Sequence, residues 1–158
     1  MTTSTNEGTS VRAEITVAAA PERAFEVFTA GIDTWWIRDH HVQSGTLQEV
    51  GVDPFEGGRM WTENDAGEVM TWGQVLAWDP PDRLVFAWLV GGDWGPPKPG
   101  ATSRVTVTFT PVDGGTHVVL VHNELDRLGP NWETVRAGVA GADGWPASLQ
   151  SFAARLAR

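Results

Sequence analysis

Apolar and polar residues alternate along residues 11–17. Val11, Ala13, Ile15 and Val17 fall on one side, and Arg12, Glu14 and Thr16 on the other. This period of two predicts a half-buried strand. The period changes at Pro21, where Ala24, Phe25 and Phe28 follow at helical spacing. Proline suits the first turn of a helix, because the N–H it lacks would have no partner there. A short helix is therefore expected over residues 21–30, stopped by Gly31. Ile32, Trp35 and Trp36, spaced i, i+3, i+4, predict a second short helical segment.

From residue 42 to residue 124 the period is mostly two, interrupted by glycine and proline. Six strands are expected, near residues 42–51, 57–64, 68–78, 83–90, 102–111 and 116–123. Asp53-Pro54 with Gly57-Gly58, Asn64-Asp65-Ala66-Gly67, Asp79-Pro80-Pro81-Asp82 and Asp113-Gly114-Gly115 supply the turns. Links this short make an antiparallel meander. Val105, Val107 and Phe109 share one face, with Arg104, Thr106, Thr108 and Thr110 on the other, so the sheet has one dry and one wet side. Trp72 and Val75 have opposite parity on one strand and compete for the inner face.

The helical period returns at the end of the chain. Val135, Val139, Ala142, Trp145, Leu149, Phe152 and Leu156 form an amphipathic stripe. It predicts a helix over residues 131–157, roughly 40 Å long at 1.5 Å per residue. Pro146 lies inside it and predicts a kink or break near residues 142–145. Gly138, Gly141 and Gly144 weaken the first half. The expected fold is α+β: a curved seven-stranded antiparallel sheet around a long C-terminal helix, with two short helices between strands 1 and 2. A helix resting on a strongly curved sheet leaves space between them, which is a natural ligand site.

Composition narrows the function. The length of 158 residues predicts one domain over residues 11–158, behind a polar lead at residues 1–10 that is expected to be disordered. Eleven Lys plus Arg against 20 Asp plus Glu give a net charge of −9, which argues against nucleic acid and anionic membrane as partners. Cysteine is absent, which removes disulfides, zinc ribbons and thiol catalysis. No apolar run has the length of a membrane span, and the polar N-terminus has no signal-peptide core, so a cytoplasmic location is expected. Tryptophan is dense, with nine in the chain and no tyrosine. Trp36, Trp72, Trp88 and Trp145, with Met60 and Leu149, fit either a filled core or the wall of a ligand cavity.

Candidate chemistry is sparse. His122 shares a face with Val118 and Leu120, and three roles stay open for it: a satisfied core residue, a polar contact to a cavity ligand, or a catalytic base. Adjacent His40 and His41 point to opposite sides of an extended chain and read as a solvated pair rather than metal ligands. Glu63, Asp65 and Glu68 flank a turn and read as a hairpin tip. There is no paired-carboxylate spacing, phosphate-binding glycine motif or nucleophile elbow. No catalytic residue, metal or cofactor is therefore assigned.

Several segments, taken in order, resemble one family. They are residues 15–28 with Pro21, Phe25 and Phe28; Trp35-Trp36; Phe55 with Gly57-Gly58-Arg59; residues 73–88 with Trp78, Pro80, Pro81, Phe86 and Trp88; Gly115-Thr116 with Leu120 and His122; and Gly144-Trp145 with Leu149 and Leu156. Together they resemble the activators of the heat shock protein 90 ATPase, in the START-like, Bet v 1-like (SRPBCC) helix-grip superfamily. The likeness is to the activators' C-terminal domain. The Pro/Gly-rich stretch at residues 91–100 departs from the pattern. The resemblance implies the helix-grip fold. The function expected is non-catalytic binding of a small hydrophobic or aromatic molecule between sheet and last helix, at Trp36, Met60, Trp72, Trp88, His122, Trp145 and Leu149. The alternatives are a protein-interaction module related to chaperone regulators, with a protein as partner, and an aromatase/cyclase-type enzyme.

Overall fold

In the computed structural model, residues 9–37, 46–89, 102–128, 132–141 and 144–157 are described. Strand β1 (Val11–Val17) leads into helix α1 (Pro21–Thr29) and a 3-10 turn (Ile32–Thr34). Six strands follow: β2 (Leu47–Val52), β3 (Arg59–Asn64), β4 (Val69–Asp79), β5 (Arg83–Trp88), β6 (Ser103–Val112) and β7 (Gly115–Asn123). A 3-10 turn (Leu125–Leu128) and helices α2 (Trp132–Ala140) and α3 (Trp145–Leu156) complete the chain. His40, His41 and the stretch 91–100 lie outside the described residues.

The strands form one antiparallel sheet in the order β1-β7-β6-β5-β4-β3-β2. Every neighbour in sequence from β2 to β7 is a neighbour in space. Only β1 lies at the far edge, so α1 and its 3-10 turn carry the chain from one edge of the sheet to the other. This is the expected helix-grip architecture.

Strand β4 settles the competition between Trp72 and Val75, because both are buried. Its pairing with β3 shifts register where Met60↔Gly73 gives way to Trp61↔Thr71, leaving Trp72 as the extra residue. A second shift, from Val75↔Phe86 to Ala77↔Val85, leaves Leu76 extra. Each bulge changes which parity faces inward and adds bend and twist to the strand. A strict period of two cannot represent this. On β6 the alternation holds as expected, with Val105, Val107 and Phe109 buried.

The core is largely aromatic. Phe28 of α1 meets Phe109 of β6 at 5.6 Å and Phe152 of α3 at 5.2 Å between ring centroids, both edge-to-face. Trp35 packs on Phe28 and Phe152 and donates its indole N–H to the carbonyl of Val27 at 2.9 Å. These contacts hold α1, α3 and the sheet together. Thr9, in the segment expected to be a disordered lead, accepts the backbone N–H of Leu125 at 3.1 Å.

The expected terminal helix is two helices. Helix α2 ends at Ala140 and α3 begins at Trp145, in keeping with the break expected from Pro146. Pro146 sits in the first turn of α3, where proline is tolerated, instead of kinking a continuous helix. Gly144 is required by close approach: a Cβ there would stand 2.2 Å from the carbonyl oxygen of Val139. Gly57 has φ +89° in the β2–β3 turn, a conformation glycine adopts without steric cost.

Phe152 is fully buried between α1, Trp35 and the sheet, whereas Val112 is 40% exposed at a hairpin end. Phe152→Ala should cost roughly 3–5 kcal/mol in urea denaturation. Val112→Ala should stay within about 1 kcal/mol. Equal losses at the two positions would contradict the placement of α3 against the core.

Candidate functional site

Five of the residues expected at the site form a continuous chain of ring contacts across the inner face. Trp36, just after the first 3-10 turn, meets Trp72 of β4 at 4.9 Å between centroids. Trp72 meets Trp88 of β5 at 6.1 Å. Trp88 meets His122 of β7 at 5.1 Å and Trp145 of α3 at 5.4 Å, and His122 and Trp145 meet at 5.9 Å. Met60 is buried opposite Gly73, whose missing side chain leaves room for the Met60 sulfur, 3.2 Å from where a Cβ would stand. Leu149 is buried one turn beyond Trp145 on the same face of α3.

Strand register explains this gathering. Gly73 pairs with Trp88, and Trp88 pairs with Ser103, so β4, β5 and β6 present their inner residues in one row. Val105 pairs with His122, which sets the histidine beside that row on β7.

His122 is fully buried, and both ring nitrogens are engaged. Trp145 donates its indole N–H to Nδ1 at 3.0 Å. Indole has no acceptor, so Nδ1 must carry a lone pair. The single proton of the neutral ring is then on Nε2, which donates to Ser103 Oγ at 2.7 Å. Burial pushes the His122 pKa down to about 3, consistent with a neutral ring. This arrangement does not poise a serine nucleophile. The basic lone pair is aimed at Trp145, and the serine receives a proton donor instead of facing a base. Of the three roles open for His122, that of a satisfied buried histidine matches the geometry.

Ser103 was not singled out from the sequence, although a signal existed. It shares the parity of Val105, Val107 and Phe109 and is the polar residue on that apolar face. It is 3% exposed. Two further polar atoms are buried nearby, Nε1 of Trp72 and Nε1 of Trp88, and neither has a hydrogen-bond acceptor among the described residues. An unpaired buried donor costs about 1–3 kcal/mol. The two lie on neighbouring strands, β4 and β5.

A concavity lies elsewhere among the described residues. A groove of about 420 Å³ runs between α1 and the β4–β5 hairpin, walled by Phe25, Trp78, Pro80 and Pro81 with Glu22 and Glu26 among its lining. None of the residues expected at the site lines it. Among the described residues no cluster of His, Asp or Glu could hold a metal ion, and no helix is long and apolar enough to cross a membrane.

The buried imidazole makes the fold acid-sensitive. In the unfolded chain His122 takes a proton near its ordinary pKa of 6.5, whereas in the fold it does so only near 3. Protons therefore favour the unfolded state in that window. Stability should fall as pH drops from about 6.5 towards 3, with a slope from this group approaching roughly 1 kcal/mol per pH unit. Urea denaturation of the wild type and of His122→Gln at pH 7, 5.5 and 4.5 checks this. The variant should lose less stability on acidification, and parallel losses would contradict the assignment.

Comparison with known proteins places this geometry in a family. The model of the activator of Hsp90 ATPase homolog 1-like protein family matches residues 18–157. Among solved structures, an anthrahydroquino-γ-pyrone synthase, Txn09, is 34% identical, with 92% of this chain and 96% of that one covered and a TM-score of 0.66. A protein from Rhodobacter sphaeroides is 22% identical over 95% of this chain and 93% of its own, with a TM-score of 0.68. One from Nitrosomonas europaea is 14% identical over 96% of each chain, with a TM-score of 0.69. The last two establish likeness of fold alone. No match is found among curated proteins. With a family match extending from the end of β1 through α3, the chain belongs to the activator of Hsp90 ATPase homolog 1-like family of helix-grip proteins.

Proposed function

We propose that this protein binds a flat, oxygenated aromatic small molecule against the inner face of the sheet, beneath α3. The contacting residues in this reading are Trp36, Met60, Trp72, Trp88, His122, Trp145 and Leu149. The carrying observation is the pair of buried indole N–H groups, Trp72 Nε1 and Trp88 Nε1, that lack an acceptor among the described residues within a wall of aromatic rings. Ring faces reward a planar apolar body, and unpaired donors reward oxygen atoms on its edge. The name of the 34%-identical synthase describes a fused aromatic of this kind, carrying hydroquinone and pyrone oxygens.

A second reading, ring closure of such a molecule, is favoured by the same relative. A site that holds a flexible precursor in a folded shape lowers the entropic barrier to cyclisation, even without an acid–base pair. The protein-interaction reading rests on the family's name alone. Among the described residues the exposed large apolar ones, Phe55, Val69, Leu76 and Val112, are spread over three hairpin turns and the middle of β4.

Titration with a hydroxyanthraquinone should quench tryptophan fluorescence. At 100 times its dissociation constant it should stabilise the fold by about 2.7 kcal/mol. A panel of planar oxygenated tricycles that gives neither quenching nor a thermal shift would overturn the binding reading. Incubation with an ortho-hydroxyaryl 1,3-diketone, which closes to a γ-pyrone with loss of one water, separates the two readings. Acceleration of that closure would establish catalysis, and tight binding without it would leave binding alone.

A further inference from the structure

The acceptor lone pairs of His122 and Ser103 are used within the aromatic wall, and its remaining polar groups are donors. Trp72 Nε1 and Trp88 Nε1 lack acceptors, and their residues are 4% and 8% exposed. Ser103 Oγ uses its lone pair on the His122 Nε2 proton, 2.7 Å away. No second partner lies within hydrogen-bond reach of Ser103 Oγ among the described residues, so its own O–H proton is left to donate. His122 offers no lone pair to a ligand either, because Nδ1 is taken by Trp145 at 3.0 Å. Ser103 and Trp88 are direct cross-strand partners, and Trp72 adjoins Trp88 through ring contact.

Resting on the binding site proposed above, we infer that Ser103, Trp88 and Trp72 form a donor-only receptor for an anionic oxygen of the ligand, a phenolate or enolate. Hydrogen bonds to the charged form favour it, and preorganised donors in a dry site are more effective than water. His122 and Trp145 are positioning residues. His122 holds the serine oxygen from one side and Trp145 holds His122, leaving the serine proton to turn toward the ligand.

The direction of the effect is diagnostic. An apolar pocket without donors would raise the pKa of a bound phenol, because burial penalises the anion, and this protein's net charge of −9 acts in the same direction. Directed donors reverse the sign, as a neighbouring cation would, and removal of single donors separates the two. The charged groups nearest on the adjoining strands do not intervene. Arg104, next to Ser103, is exposed on the opposite face of β6 and pairs with Glu124 at 3.5 Å, and His122 is neutral. On β4 and β5, Asp79 and Arg83 pair with each other at the opposite hairpin end, and Arg59 of β3 pairs with Asp53.

The test uses 2-hydroxyanthraquinone, whose neutral and ionised forms differ in visible absorption, titrated with pH free and bound to the whole protein. Tryptophan quenching reports binding independently. The bound phenol's pKa should fall by about one unit or more. Trp88→Phe, which keeps a ring but removes the N–H, and Ser103→Ala should each lose most of that shift while still quenching. Trp88→Phe keeps the test open if Ser103→Ala fails to fold. Quenching with an unchanged or raised pKa, or a shift that survives both substitutions, would overturn the receptor and leave the binding reading intact. Absence of quenching by the wild type would overturn both.

Discussion

The hydrogen bond from Trp145 to His122 determines what the interior of this protein can do. It ties the last helix to the sheet at a point without solvent, where a lost partner is expensive. Because indole can only donate, the bond also selects the histidine tautomer, and through it the hydrogen-bonding role of Ser103. One contact between α3 and β7 thus carries structural and chemical consequences together. A histidine in this position is a spacer with a fixed polarity and not a base.

Around that contact the fold is built from rings. Aromatic pairs join α1, α3 and the sheet on one side, and a second series runs from Trp36 to Trp145 on the other. Large, stiff side chains suit a surface that must keep its shape with little internal polarity, since they hold wide area with few rotatable bonds. The bulges in β4 serve the same end. By bringing Trp72 and Val75 to one face, they add a ring to the wall that regular pleating would have turned outward.

Family membership and function are separate statements for such a scaffold. The helix-grip architecture is shared widely, and a fold hosts many activities. The reading of this chain rests on local features: two buried indole donors without an acceptor among the described residues, a buried serine on β6 and a neutral histidine. The chemistry proposed for the site is polar recognition by donors, set in aromatic walls.

Periodicity alone determined the element order, the antiparallel meander, the inward set on β6 and the division of the terminal helix near Pro146. These depend on local spacing, which a linear reading registers directly. Trp88, Trp145, Leu149 and His122 were legible as apolar-face residues for the same reason. Tertiary structure decided the rest. Whether Trp72 or Val75 faces inward depended on register shifts, which are properties of strand pairing and not of one strand. The part played by Ser103 depended on a partner 19 residues away across a β-ladder and on a tryptophan from another helix, 23 residues beyond the histidine. Hydrogen-bond polarity belongs to the assembled set of donors and acceptors, so no residue in isolation could reveal that this wall carries donors without acceptors.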